Sequence, residues 1–490
     1  MKLLATGYRL LTSRSKRAFT IVEVILAMGL FVLVVGGGVG AAVRAFSLNR
    51  LGEEESYAHF LANEGLEAAR AVSSRDYFNL VNGSHGLTTA GSQWNFSGSS
   101  NTFGKFTRTI IISNVYRDAE KNIIASGGTL DLYTKRAESR VTWNFSPGRS
   151  ESASFKTYLT AYSQFSICIW DSAVQVGGAD LPGGGDAQDI DVLGDYAYVT
   201  AMRNGSAGEF FILSIADPIN PQPLGEFEVG DHAFSVEISG NYAYLATAKS
   251  GSELIVVNVS DPSFPTLTRV VDVPNVTQAN DISISGNYAY IVTQSSTSGP
   301  EVYVYDISSP SSPSLAGSFE VGNHVYGIYV TGGRAYLANA RSDKELIVLD
   351  VSNPASPVEL GSFNIPSVGA NGQSVFYGGG VVHLTTRNNT GSPAEYYLFE
   401  ASDPSDIQLL GSLDTSGRTN GVESAPGFAI LATEKADQEL MIVSTADPGS
   451  LQIDFSLDLG GSALGVALKD CFGYFTSADD NQEIKVVAPE

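Results

Sequence analysis

The apolar positions of this chain change rhythm twice before they settle into a repeat. From Ile21 to Val43 they are nearly continuous, with Glu23 as the one charge. A run of that length can span a membrane as a helix. From Glu53 to Asp76 the residues Tyr57, Phe60, Leu61, Ala68, Ala69 and Val72 recur at spacings of three and four. Glu53, Glu54, Glu55, Glu67, Arg70 and Arg75 fall mostly on the other faces. Together these predict one long helix over 19–80, with a transmembrane half at 21–43 and a second half whose apolar stripe faces a sheet. Gly36, Gly37, Gly38 and Gly40 are expected to weaken the membrane half locally, or to mark a close helix contact. Between 104 and 165 the period becomes two. Strands are expected at Phe106–Ile112, at two places between Leu130 and Trp143, and at Ser154–Thr160. Residues 81–165 therefore read as a small antiparallel β domain that covers the helix.

From about residue 186 the chain repeats itself, within a propeller domain expected over 166–490. Gly194-Asp195-Tyr196-Ala197-Tyr198 returns as Gly240-Asn241-Tyr242-Ala243-Tyr244, Gly286-Asn287-Tyr288-Ala289-Tyr290 and Gly332-Gly333-Arg334-Ala335-Tyr336, 46 residues apart each time. A second marker follows in each unit: Asp217-Pro218, Asp261-Pro262, Ser309-Pro310, Asn353-Pro354, Asp403-Pro404 and Asp447-Pro448. A period in the forties built only of strand-like segments predicts a β-propeller. Six units fit completely. A seventh starts at Leu464 and lacks its fourth strand, which the stretch Asp171–Val176 is placed to supply. Such closure removes exposed sheet edges. The expected fold is thus an α+β module followed by an all-β propeller of seven blades.

Composition narrows the function. The formal charge is −23, which argues against a nucleic-acid partner. Residues 1–18 hold Lys2, Arg9, Arg14, Lys16 and Arg17 and no acid. Arg14, Lys16 and Arg17, directly before the apolar run, predict that the N-terminus stays in the cytoplasm and the remainder lies outside.

Two stretches carry family resemblances. Arg14 to Ala18, followed by Phe19-Thr20-Ile21-Val22-Glu23 and the apolar run, resembles the N-terminus of type IV prepilins and pseudopilins. The resemblance implies cleavage by a prepilin peptidase between Ala18 and Phe19. It also implies methylation of the new amine on Phe19, and a role for Glu23 in pairing with such an amine during filament assembly. The family prefers Gly where this chain has Ala18. A charged residue so deep in an apolar run otherwise costs on the order of 2–3 kcal/mol. The stretches Glu253–Val259 and Glu345–Val351 resemble the LVIVD repeat, a propeller repeat of bacterial surface proteins. The likeness fades in the units near 379 and 426, where His383 and Ile430 replace the second Tyr.

Candidate chemistry is sparse. There is no nucleophile elbow, no phosphate loop and no metal-spaced cluster, so neither an enzyme nor a cofactor or metal site is expected. The Asp-Pro turns offer one carboxylate each, too few for calcium. Asp186, His232, Gln278, His324, Asn371, Arg418 and Ser462 each precede an innermost strand, at one mouth of the channel. They form a candidate ligand ring; the alternative is that they are ordinary polar loop residues. Cys168 precedes the borrowed strand and Cys471 lies in the first hairpin of the last blade, so a disulfide between them would lock the ring. Two buried thiols are the alternative.

The expected function is a minor pilin-like subunit, at the filament tip because of its bulk, that displays a propeller for adhesion or binding of a surface protein or glycan. Its partners would be other pilin subunits, the peptidase and, before assembly, the inner membrane. The alternatives are a pseudopilin of a type II secretion or DNA-uptake machine, and a membrane-anchored propeller enzyme.

Overall fold

The computed structural model describes residues 20–490 except 76, 78–79, 91–92, 119–121, 125–127, 161–167, 169, 184, 204, 206, 295–298, 367–369, 379, 388–393 and 426. Ala18 and Phe19 lie outside the described residues.

Helix α1 runs unbroken over Ile21–Arg75, 55 residues and about 80 Å at 1.5 Å per residue. The four glycines at 36–40 interrupt nothing: it passes through them as regular helix, and open space surrounds each. The i→i−4 bonds of the flanking residues hold the segment, so glycine's cost appears as reduced stability, without a kink. Thr20 and Glu23 close its N-terminus reciprocally. The Glu23 carboxylate accepts the Thr20 N–H at 3.0 Å, and the Thr20 hydroxyl accepts the Glu23 N–H at 3.3 Å. This is a capping box, written in the sequence as Thr-x-x-Glu.

The two halves of α1 have opposite surroundings. Ile21 to Arg50 are exposed throughout. Farther on, Ala58, Leu61, Ala62, Leu66, Ala68, Ala69 and Val72 are buried. They pack on an antiparallel sheet whose long strands are Phe106–Arg117, Thr129–Ser146 and, at one edge, Arg149–Thr160. Arg108 of this sheet is buried and bonds Glu64 of the helix at 2.6 Å. The two strands expected between Leu130 and Trp143 are one: Thr129–Ser146 is continuous, with a register break where Asn114 opposes Lys135 and Val115 opposes Asp131. A bulge absorbs the residues that looked like punctuation.

Seven four-stranded antiparallel sheets follow. In each, the first four residues of the third strand are buried, as in Leu346–Asp350, because both its faces meet neighbouring blades. The seventh blade is composite. Ala463–Lys469, Phe472–Ser477 and Ile484–Pro489 are completed by Ala173–Ala179, with Ala179 opposite Ile484 and Ala173 opposite Pro489. The borrowed strand begins and ends slightly later than the Asp171–Val176 expected. Cys168 and Cys471 are joined, with Cα atoms 5.4 Å apart. The Asp-Pro pairs are turns: the Asp261, Asp403 and Asp447 carboxylates accept the N–H two residues on.

One seven-fold device had no assigned role in the sequence. Glu209, Glu253, Glu301, Glu345, Glu395, Glu439 and Glu483 precede the third strands and are buried. Each places Oε2 against a main-chain N–H leading out of the fourth strand: Val229, Val273, Val321, Ile365, Thr415, Leu459 and, for the composite blade, Leu181, at 2.8–2.9 Å. The other oxygen of Glu345 has no partner among the described residues, and burial raises its carboxyl above the usual range. Replacing Glu345 with Ala should therefore cost about 1.5–3 kcal/mol in thermal unfolding. Replacing it with Gln should cost little, because the amide keeps the acceptor and removes the buried charge. Equal losses for both variants would contradict this role.

The β domain docks on blades four and five. Val81 packs into the core beneath Tyr336 and Tyr377, and its methyl occupies the space that a Cβ on Gly332 would need. Leu130 packs against blades five and six.

Candidate functional site

The innermost strands, Ala187–Leu193 through Ala463–Lys469, line a central channel. Alternate residues of each strand face it, while Ile190, Val236, Ile282 and Ile328 between them are buried in the blades. At the narrow level stand Asp189, Ser235, Asp281, Gly327, Ser374, Gly421 and Gly465. Neighbouring strands approach closely here: a Cβ on Gly327 would sit 3.0 Å from the Gln373 carbonyl oxygen. One level along are Asp191, Glu237, Ser283, Tyr329, Phe376, Glu423 and Ala467.

The channel is strongly acidic. Asp189 accepts the Val236 N–H at 3.0 Å, Asp191 accepts the Ile238 N–H at 2.8 Å, and Asp281 accepts the Ile328 N–H at 2.8 Å. These carboxylates stitch blade one to blade two and blade three to blade four. The Ser235 hydroxyl donates to Asp281 at 2.6 Å. Burial first, and repulsion from Asp189 second, lift the carboxyl of Asp281 to about 7. Burial, together with Asp189, holds Asp191 at about 6. Burial with Asp191 and Asp189 holds Glu423 at about 8. Glu237 is raised well above the usual range by burial and by all four of these neighbours.

Above the acidic levels the mouth is cationic and aromatic. Arg387 lies over the Tyr326 ring at 4.0 Å and donates to Gln373 at 2.6 Å. Arg418 donates to the same Gln373 oxygen at 3.3 Å and pairs with Glu434 at 3.2 Å. Burial and the adjacent Arg418 lower the affinity of Arg387 for its proton. Two guanidiniums held side by side by one amide suit an anionic or carbonyl-rich ligand.

Of the seven expected ring residues, only Arg418 lines the channel. His232 and His324 stand behind Phe234 and Tyr326, with ring centres 6.1 and 5.9 Å apart, and His232 Nδ1 accepts the Arg203 N–H. Asp186, His232, His324, Arg418 and Ser462 have a main-chain role in common, since their carbonyls accept the N–H at the end of the second strand. Gln278 donates to Asn280, and Asn371 pairs with Arg387 within blade five. The polar character of these positions follows from loop placement, and the channel begins two residues later. Arg387 and the five carboxylates were missed. Alternation along the innermost strands, as in Asp189-Ile190-Asp191, was the available signal. Among the described residues no group of three or more His, Cys, Asp or Glu side chains is arranged to hold a metal ion.

Four segments, 184–227, 230–273, 277–321 and 322–365, match the LVIVD repeat. They correspond to blades one to four, so the chain carries LVIVD repeats within a seven-bladed propeller. No curated protein matches the chain. Among solved structures, a candidate 6-phosphogluconolactonase from Bacteroides uniformis is similar over 61% of this chain and 92% of its own, at 11% identity and a TM-score of 0.50. The WD40 propeller domain of Doa1 is similar over 65% and 98%, at 12% identity and a TM-score of 0.48. BamB from Moraxella catarrhalis is similar over 64% and 97%, at 13% identity and a TM-score of 0.44. At these identities the likeness concerns the fold alone.

Proposed function

We propose that this protein is a minor pilin-like subunit that carries a binding propeller on a type IV filament. The observation that supports this reading is the division of α1. One half is apolar and bare; the other is packed on a four-strand-wide antiparallel sheet with the propeller attached beyond it. An anchor alone needs only the first half. A helix bundle, by contrast, would cover the bare residues with the same segment of neighbouring subunits. A head of seven blades crowds a helical shaft, which favours a tip position. The head's role is binding through the arginine-lined mouth, without catalysis. The coarser reading, a propeller anchored to a membrane by one N-terminal helix, already accounts for the fold.

Glu23 separates the two readings. Its capping bonds give it a local role, and an amide fills that role as well as a carboxylate. Pairing with a neighbour's N-terminal amine needs the charge. Glu23→Gln should therefore insert in the membrane at wild-type level yet fall at least about tenfold in the sheared filament fraction, a loss of about 1.4 kcal/mol or more in incorporation. Wild-type incorporation of Glu23→Gln, with loss only for Glu23→Ala, would leave Glu23 as a helix cap.

A further inference from the structure

Where the β domain meets the propeller, a lysine is buried against two asparagines. Lys135 is 2% exposed. It stands directly across from Asn114 on the adjacent strand, at the last regular pair before the register breaks. Its Nζ is 2.6 Å from Asn114 Oδ1 and 3.1 Å from Asn82 Oδ1. Asn82 Nδ2 donates to Asn114 Oδ1 at 2.7 Å. On the other side, Asn114 Nδ2 donates to Glu400 Oε1 at 3.4 Å. The Gly380 turn of blade five closes over the amine, leaving no room for a side chain. A cavity lined by Asn82, Asn114 and Ser402 opens beside the group.

We propose that Lys135 Nζ and Asn114 Cγ become joined by an amide bond, formed in the folded chain with Glu400 as proton carrier. The nucleophile, an oxyanion donor and a carboxylate gather around the Asn114 amide. Asn82 Nδ2, which donates to the Asn114 carbonyl, polarises it for attack and is positioned to hold the oxyanion. The leaving nitrogen rests on the carboxylate. Burial lowers the Lys135 ammonium to about 8, with the Glu400 charge opposing, so an appreciable share is free amine near neutral pH. Glu400, the carboxylate whose charge acts on the ammonium, takes a proton from it. The Nζ lone pair then adds to Cγ, and the Cγ–Oδ1 π pair moves onto oxygen. Collapse reforms the carbonyl as the Cγ–Nδ2 bond breaks. Glu400 returns its proton to Nδ2, and a second proton from Nζ follows the same path, so nitrogen departs as ammonium. No oxidant or reductant takes part. Because Glu400 and Gly380 belong to the propeller and the two reacting residues to the β domain, the bond forms only after the modules dock. It would pin the central strand pair that supports α1. The inference is independent of the pilus reading.

Peptide mapping of the full-length protein tests this. Trypsin should yield residues 109–117 linked to residues 122–136, lighter than the two together by about 17 Da, the mass of ammonia. Glu400→Gln should reduce the linked fraction by about tenfold or more, and Lys135→Met should abolish it. Unlinked peptides in the wild-type protein would overturn the proposal and leave Lys135 as a hydrogen-bonded buried lysine. A link to the peptide that carries Asn82, or a link undiminished in Glu400→Gln, would overturn the assigned roles. The wild-type digest decides the main point even where a variant does not fold.

Discussion

Replacing Cys168 and Cys471 together with Ser should lower the melting temperature of the propeller by on the order of 5–10 °C. The bridge spans 303 residues, so in the chain-entropy model it stabilises the fold by about 4 kcal/mol or more. It also fixes the one blade assembled from both ends of the propeller. Without the bridge, Ala173–Ala179 is held to Ile484–Pro489 by main-chain pairing and by the Glu483 bond to Leu181. These contacts can open at an edge. The loss should therefore appear first as faster amide exchange in the seventh blade. A melting temperature within about 1 °C of wild type would mean that strand pairing alone closes the ring.

The channel carboxylates give the second large effect. Their folded values, about 6 for Asp191, 7 for Asp281 and 8 for Glu423, stand above the ordinary 3.8 for Asp and 4.5 for Glu. The folded state therefore holds more protons than the unfolded state through this range. The associated stability is fully present near pH 4 and is lost as pH rises through 6 to 8. His383, which burial holds neutral down to about 3, acts in the opposite sense only below its ordinary value of 6.5, and Lys135, held at about 8 against an ordinary 10.5, opposes the carboxylates only as a single group at the alkaline end. Between about pH 8.5 and 6.5 the carboxylates dominate, and acidification should raise the melting temperature by on the order of 5 °C. Glu423→Gln should raise it at the alkaline end and flatten the slope. A flat or rising wild-type profile toward alkaline pH would show the channel charges to be compensated.

The repeat fixed the blade count because two local rules recur in step: a Gly turn before aromatic residues, and an Asp-Pro turn after an apolar strand. The composite blade was legible for the same reason, since a missing strand and a spare one stood at opposite ends. The channel was less legible. Its five carboxylates come from the innermost strands of blades one, two, three and six, and they meet only when seven strands converge. The seven glutamates show a different limit. They recur plainly, yet their partners lie 20 residues away, or 302 in the composite blade, and spacing alone does not reveal a buried acceptor. At the N-terminus the reverse holds. Thr20 and Glu23 form a capping box that the sequence displays openly, beside the filament motif that the same residues resemble.

The N-terminus of the protein recovered from the cell surface tests the central claim most directly. Mass spectrometry of the sheared surface fraction should find a chain that begins at N-methylated Phe19. A chain that retains residues 1–18 and stays entirely in the membrane fraction would contradict the account and leave a simple membrane-anchored propeller.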